Sequence, residues 1–213
     1  NASCSASTYK EARAFAFKLS KMVNGTALTA NDVQFADTTS SRFTLLPSNY
    51  RGTAPPANTP NYFVEESGTT FAWNVFKFHV DFAVPANSTF TGPTAVSQTT
   101  YSIAADPVPE PAPGNNIDTL ADRVMMQVQY KKLGGVESLW VNHTTGTASA
   151  STPTGIQWAQ INVTGGTVNT TPVQQQIFNN AADGHNRFMG SLAIDGSGNM
   201  ALGYTVSSAT VAP

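Results

Sequence analysis

Charge is scarce in this sequence. Lysine and arginine number 11 and aspartate and glutamate 13, so charged residues make up 11% of the chain, against about 25% in an ordinary soluble domain. A net charge of −2 and a pI near 5.9 leave no basic field for nucleic acid or anionic lipid. Long apolar runs are missing as well: none approaches the ~18 residues of a membrane span. Cys4 is the only cysteine, so no internal disulfide framework is possible, and any partner thiol lies outside these residues. The first residues, Asn1-Ala2-Ser3-Cys4, lack the basic and apolar regions of a signal peptide; export would require a signal already removed or lying upstream. Strong helix formers are few and β-branched residues many, which argues against a helical protein. His79, His143 and His185 are far apart in sequence, which disfavours a transition-metal centre. No phosphate loop or dinucleotide fingerprint occurs.

Uncharged polar residues fill the space that charge leaves. There are 27 Thr, 18 Ser and 17 Asn, with 16 Gly and 13 Pro, while 40% hydrophobic content is enough for a core. This composition reads as an extracellular or cell-surface protein. Asn-x-Ser/Thr sequons stand at Asn1, Asn24, Asn87, Asn142, Asn162 and Asn169. They become glycosylation candidates in a host that uses them.

Strand signals dominate the chain. Ala12–Leu19, Asn61–Glu65, Phe71–Phe82, Arg123–Tyr130, Val136–His143, Gly155–Val163, Val173–Phe178, Arg187–Ile194 and Met200–Val206 all read as strands between Gly-, Thr- or Pro-rich turns. Pro47–Pro60 and Pro107–Gly114 read as loops barred from a central strand. No sustained 3.6-residue period predicts a long helix. Arg123-Val124-Met125 recurs as Arg187-Phe188-Met189, and Gly135–Val141 recurs as Gly198–Tyr204. A weaker counterpart is Tyr62-Phe63-Val64. Four short strands per repeat of about 63 residues match one antiparallel propeller blade. The expected fold is therefore all-β: a β-propeller arc of three to four four-stranded blades, with units at 1–60, 61–122, 123–186 and 187–213. Closure takes typically 4–8 blades, so the arc is expected to belong to a larger propeller, its partners being further blades or other subunits.

Four stretches carry a family resemblance: Phe78–Pro93, Asp118–Met125, Glu137–His143 and Phe188–Asp195. They fall in the same order as in large exported bacterial β-propeller-like proteins of unassigned function, which the chain resembles over most of Leu45–Ser208. The resemblance implies a propeller fold and export. It departs from the family where Asn186 separates His185 from Arg187, where Phe188 replaces Trp, and where Val136 replaces a frequent His.

Several residues invite a chemical role. Arg123 and Arg187 open equivalent repeats and are candidates to grip an anionic group through bidentate hydrogen bonds; the structural alternative pairs Arg123 with Asp122 or Asp118 and Arg187 with Asp183. His79 and Asp81 share one strand face, as a base and its orienting carboxylate would, or else they fix the Val84-Pro85 corner. Glu137 is the best-placed carboxylate for glycoside chemistry, beside Trp140 as a sugar platform, but no second carboxylate is selected. Asp195, Ser197 and Asn199 occupy alternate positions of a tight turn, a spacing that suits calcium and equally suits an ordinary hairpin. The leading functional expectation is an exported scaffold and binding module. The alternative is a glycan-active hydrolase or lyase with acids partly outside this chain.

Overall fold

The computed structural model describes residues 9–67, 69–102, 107–146 and 153–213. Cys4 and Asn1 lie outside these residues. Strands take up 47% of the chain and helix 8%, and among the described residues the longest helix, α1 (Leu19–Val23), has five residues. The all-β expectation holds at this level. Among the described residues, no helix is long and apolar enough to cross a membrane.

Twelve strands are described: β1 (Arg13–Phe17), β2 (Val33–Asp37), β3 (Leu46–Tyr50), β4 (Asn61–Ser67), β5 (Ala72–His79), β6 (Thr89–Ser97), β7 (Val128–Leu133), β8 (Val136–Thr145), β9 (Gly155–Asn162), β10 (Gln174–Phe178), β11 (Asn186–Ile194) and β12 (Met200–Ser207). They form one eight-stranded sheet in the order β10-β9-β8-β7-β3-β4-β5-β6 and two hairpins, β1–β2 and β11–β12. Within the large sheet, β3–β6 and β7–β10 are antiparallel quartets. They meet at a short parallel pairing that sets Ser48, Asn49 and Tyr50 beside Val128, Gln129 and Tyr130. The sheet as a whole is curled into a half-barrel. As a result Tyr62, Val64, Trp73 and Val75 of the first quartet enter one core with Val128, Leu139, Val141 and Ile161 of the second.

β8 shows why the sequence folds this way. Nine of its ten residues are buried, because it is covered on both faces. Leu139 and Val141 face the inter-quartet core. Trp140, on the other face, packs with Leu192 and Ile194 of β11. A side chain also clamps β11 from β7: Gln129 Oε1 accepts from Ile194 N at 2.9 Å, and its Nε2 donates to Ile194 O at 3.2 Å. That amide copies the pair of bonds a neighbouring strand would make.

Three expectations need correction. Pro47 lies inside β3, a central strand, because β3 is two half-strands in ladder terms. Leu46 and Pro47 pair only with β4, and Ser48–Tyr50 only with β7, so no ladder bond is asked of the missing N–H. β6 escaped notice because Gly92 and Pro93 interrupt it. They form a bulge on the sheet edge, between the Val75–Thr94 and Lys77–Thr91 pairs, where proline is tolerated. Finally, residues 123–127 precede β7 rather than open it; Val124 makes only an isolated bridge to His143. Counting β3, the first quartet begins one strand before Asn61. The strands at the seam, β3 and β7, start at residues 46 and 128, so they are spaced more widely than a 63-residue repeat.

Candidate functional site

The predicted site residues do not converge. Arg123 pairs with Asp122 at 2.8 Å on the surface and lies over the Phe43 ring. Arg187 is 7% exposed and takes Asp183 in a forked pair, Nη2 to Oδ2 at 2.6 Å and Nη1 to Oδ1 at 3.3 Å. That hydrogen bond holds the Asp183 carboxyl well below the usual range. Phe178 and Tyr204 flank the guanidinium. Each arginine therefore already has its acid, the pairing weighed against an anion site.

No hydrogen bond joins His79 to Asp81. Asp81 instead closes the corner after β5. Its Oδ1 accepts from Ala83 N and Val84 N at 2.8 and 2.9 Å, and its Oδ2 accepts from Asn87 Nδ2 at 3.2 Å. Those bonds, the Val84 N–H first, lower the Asp81 pKa. Glu137 is 4% exposed and lies near Tyr62, whose pKa is pushed up to about 12 by burial and then by Glu137. The burial that protects this carboxylate also closes it to substrate. Trp140 is 4% exposed and stacks on Trp158 with centroids 6.0 Å apart; it is sheet-to-hairpin core, not an open platform. Asp195 spends both oxygens on its own turn, accepting from Ser197 N at 2.8 Å, Asn199 N at 2.9 Å and Asn199 Nδ2 at 2.8 Å. Ser197 and Asn199 thus stand as donors in a hairpin turn.

The sequons separate by burial. Asn24, Asn87 and Asn169 are exposed and Asn162 is half-buried. Asn142 has no exposed surface and faces Gly190 of the β11–β12 hairpin packed on the sheet. A glycan on Asn142 is incompatible with this fold, which corrects that candidate.

What the structure does leave open is a sheet face. In β1, Ala14 and Ala16 turn inward onto Phe63, Phe76 and Phe78. Phe15 and Phe17 turn outward with Phe35 of β2, at 47, 47 and 59% exposure. The three rings form one patch, with Phe15 centred 6.1 Å from Phe17 and 5.9 Å from Phe35. Arg13 and Asp37 border it with a 2.9 Å ion pair. α1, which follows, buries none of its residues and leaves Leu19, Met22 and Val23 exposed. The sequence carries the signal for this face: β1 reads Arg-Ala-Phe-Ala-Phe, apolar on both sides, as in strands covered on both faces. Within this chain only the Ala14 and Ala16 side is covered.

Sequence reasoning also missed a buried polar network. His143, with no exposed surface, lies between the edges of Trp73 and Tyr101 at 4.8 and 4.9 Å. Its Nδ1 is 2.9 Å from Thr144 O, and its Nε2 is 3.1 Å from Gln157 Oε1 and 3.4 Å from Gln98 Nε2. Burial lowers its pKa to about 4. No group of three or more His, Cys, Asp or Glu able to hold a metal occurs among the described residues. The chain matches no protein-family model, no curated protein and no solved structure.

Proposed function

We propose that this chain is a non-catalytic scaffold and binding module: an arc of an exported β-propeller whose further blades or subunits dock on the outer face of the β1–β2 hairpin. One observation carries the reading, the Phe15, Phe17 and Phe35 patch on a strand whose other face is already packed. A half-exposed phenylalanine leaves about 100 Å² of apolar surface in water, so three leave roughly 300 Å². Covering them is worth on the order of 7 kcal/mol before association costs. A patch of this size matches the largest on a typical monomer, which is often functional.

The propeller reading draws on the two antiparallel quartets, which have the strand number of blades, while the parallel β3–β7 pairing that joins them into one sheet weighs against it. It is also supported by the way the β11–β12 hairpin lies on the outer face of the second quartet, as a following blade would. Composition supports export. The hydrolase reading loses ground because Glu137 sits inside the core. The test is assembly. In the native protein, Phe15→Ser combined with Phe35→Ser, both on an exposed face, should release the neighbouring blade or subunit, seen as a smaller or looser particle by light scattering. An unchanged particle would refute the proposal.

A further inference from the structure

A second surface on the first quartet differs from the phenylalanine patch in every respect. It is a cleft of about 650 Å³, within the ~300–1,000 Å³ range of small-ligand sites. Half of its lining residues are Ser or Thr: Ser41, Ser67, Thr69, Thr70, Ser97 and Thr170. Arg42 and Asn74 also line it. Beneath them lies Glu65, 3% exposed, whose Oε1 accepts from Arg42 Nη1 at 2.6 Å and from Asn74 Nδ2 at 3.0 Å. The second carboxylate oxygen, Oε2, is buried with no partner. A buried acid with an orphan oxygen is costly. Here it fixes two polar side chains at a cleft wall.

We propose that this cleft binds a neutral, polyhydroxylated ligand, a segment of an uncharged oligosaccharide. Three features select that chemistry. First, the wall has no free charge. Arg42 is the only ionic residue lining it, and Glu65 neutralises it from below; an anion site would leave the cation unpaired. Second, the wall mixes donors and acceptors. Each hydroxyl can give and take a hydrogen bond, Asn74 adds an amide, and Arg42 adds a guanidinium edge, which matches a ligand made of hydroxyls. Third, an apolar ring borders the cleft. Phe71 lines it, is held edge-on by Tyr101 at 4.9 Å, and takes a left-handed backbone with φ 50°. Strained conformations of this kind cluster at ligand sites.

The competing occupant, an added β-strand, is poorly served. The adjoining edge is β6, where Pro93 has no N–H to offer and Ser97 N already donates to Thr170 O at 2.9 Å. Strand addition needs those groups free. The inference does not rest on docking at the phenylalanine face; either can fail alone.

The experiment is titration of the full protein with cellotetraose, maltotetraose and chitotetraose, with tetragalacturonate as the charged comparison, read by calorimetry and by protection of Thr70 and Ser97 from hydroxyl-radical labelling. At least one neutral tetrasaccharide should bind and protect both positions. Thr70→Val and Ser97→Ala, both on the surface, should each weaken that binding about tenfold, the value of one lost ligand hydrogen bond. Asn74→Ala should weaken it further, with the urea midpoint checking that the fold survives. Three results would overturn the proposal: no saccharide binding at roughly ten millimolar, where only the weakest complexes escape detection; tighter binding of tetragalacturonate; or binding that the hydroxyl variants leave unchanged. Protection of the cleft in the saccharide-free native protein would show a polypeptide occupant and would also overturn it.

Discussion

Acid should destabilise this fold through His143, at a pH where its carboxylates still hold. The imidazole is fully buried, and burial lowers its pKa from 6.5 to about 4, against the smaller opposing pull of Gln157 and Thr144. As pH falls below about 6.5, the unfolded chain takes up a proton that the folded chain refuses until near pH 4. The folded state therefore has the lower affinity, and stability is lost across that interval. At roughly 1.4 kcal/mol per tenfold change in proton affinity, the loss amounts to about 3 kcal/mol, a large part of a typical domain's margin. Asp32, Asp81, Asp183 and Asp195 all have lowered pKa values. Their contributions hold above the ordinary carboxylate value and fade only below it, so the two effects separate in pH. The assay is urea unfolding at several pH values between 7.5 and 4.5, on the native sequence and on His143→Gln. The variant should be less stable at pH 7.5 but lack the fall of about 2 kcal/mol that His143 produces between pH 6.5 and 4.5. Equal slopes in both proteins would refute the reasoning.

Other substitutions probe the packing. Gly92 has φ 121°, and a Cβ there would lie 2.9 Å from Val75 O and 3.1 Å from Phe76 Cα; both obstacles are backbone, so Gly92→Ala should cost at least about 2 kcal/mol in denaturant unfolding. A Cβ on Gly190 would meet Asn142 Oδ1 at 2.5 Å and Ile156 Cγ2 at 2.9 Å. Gly190→Ala should therefore cost roughly 1–3 kcal/mol, and Asn142→Ala should recover part of it in a double-mutant cycle; strict additivity would contradict the contact. Asp183→Asn strands the buried Arg187 and should lower the melting temperature clearly. Asp122→Asn frees only the surface Arg123 and should stay within about 0.5 kcal/mol of the native protein.

The legible parts of this fold are those where chemistry is local. β5, β8, β9, β11 and β12 could be read as runs rich in apolar and β-branched residues bounded by turn residues. The Arg123–Asp122 and Arg187–Asp183 pairs could be read because each partner lies within four residues. β3 and β6 could not, since Pro47, Gly92 and Pro93 disguise them, and only the ladder pattern shows why proline is harmless there. The Arg42–Glu65 pair spans 23 residues and the Gln98–His143 contact spans 45, distances that no pattern in one sequence links. Asn142 misleads in the other direction. A sequon suggests surface, yet β8 is covered on both faces, so all its side chains after Val136 are inside whatever their chemistry. The upstream boundary at Asn61 misses β3, which opens the first antiparallel quartet and sits 82 residues before β7, the strand that opens the second.

The central claim is that the Phe15, Phe17 and Phe35 face is a docking surface. Hydroxyl-radical footprinting compares those three rings in the native assembly and in the isolated 213-residue chain. The account predicts strong labelling of all three in the isolated chain and protection in the assembly, with exposed Met126 labelled alike in both as a reference. Equal labelling of the three rings in both preparations would contradict it.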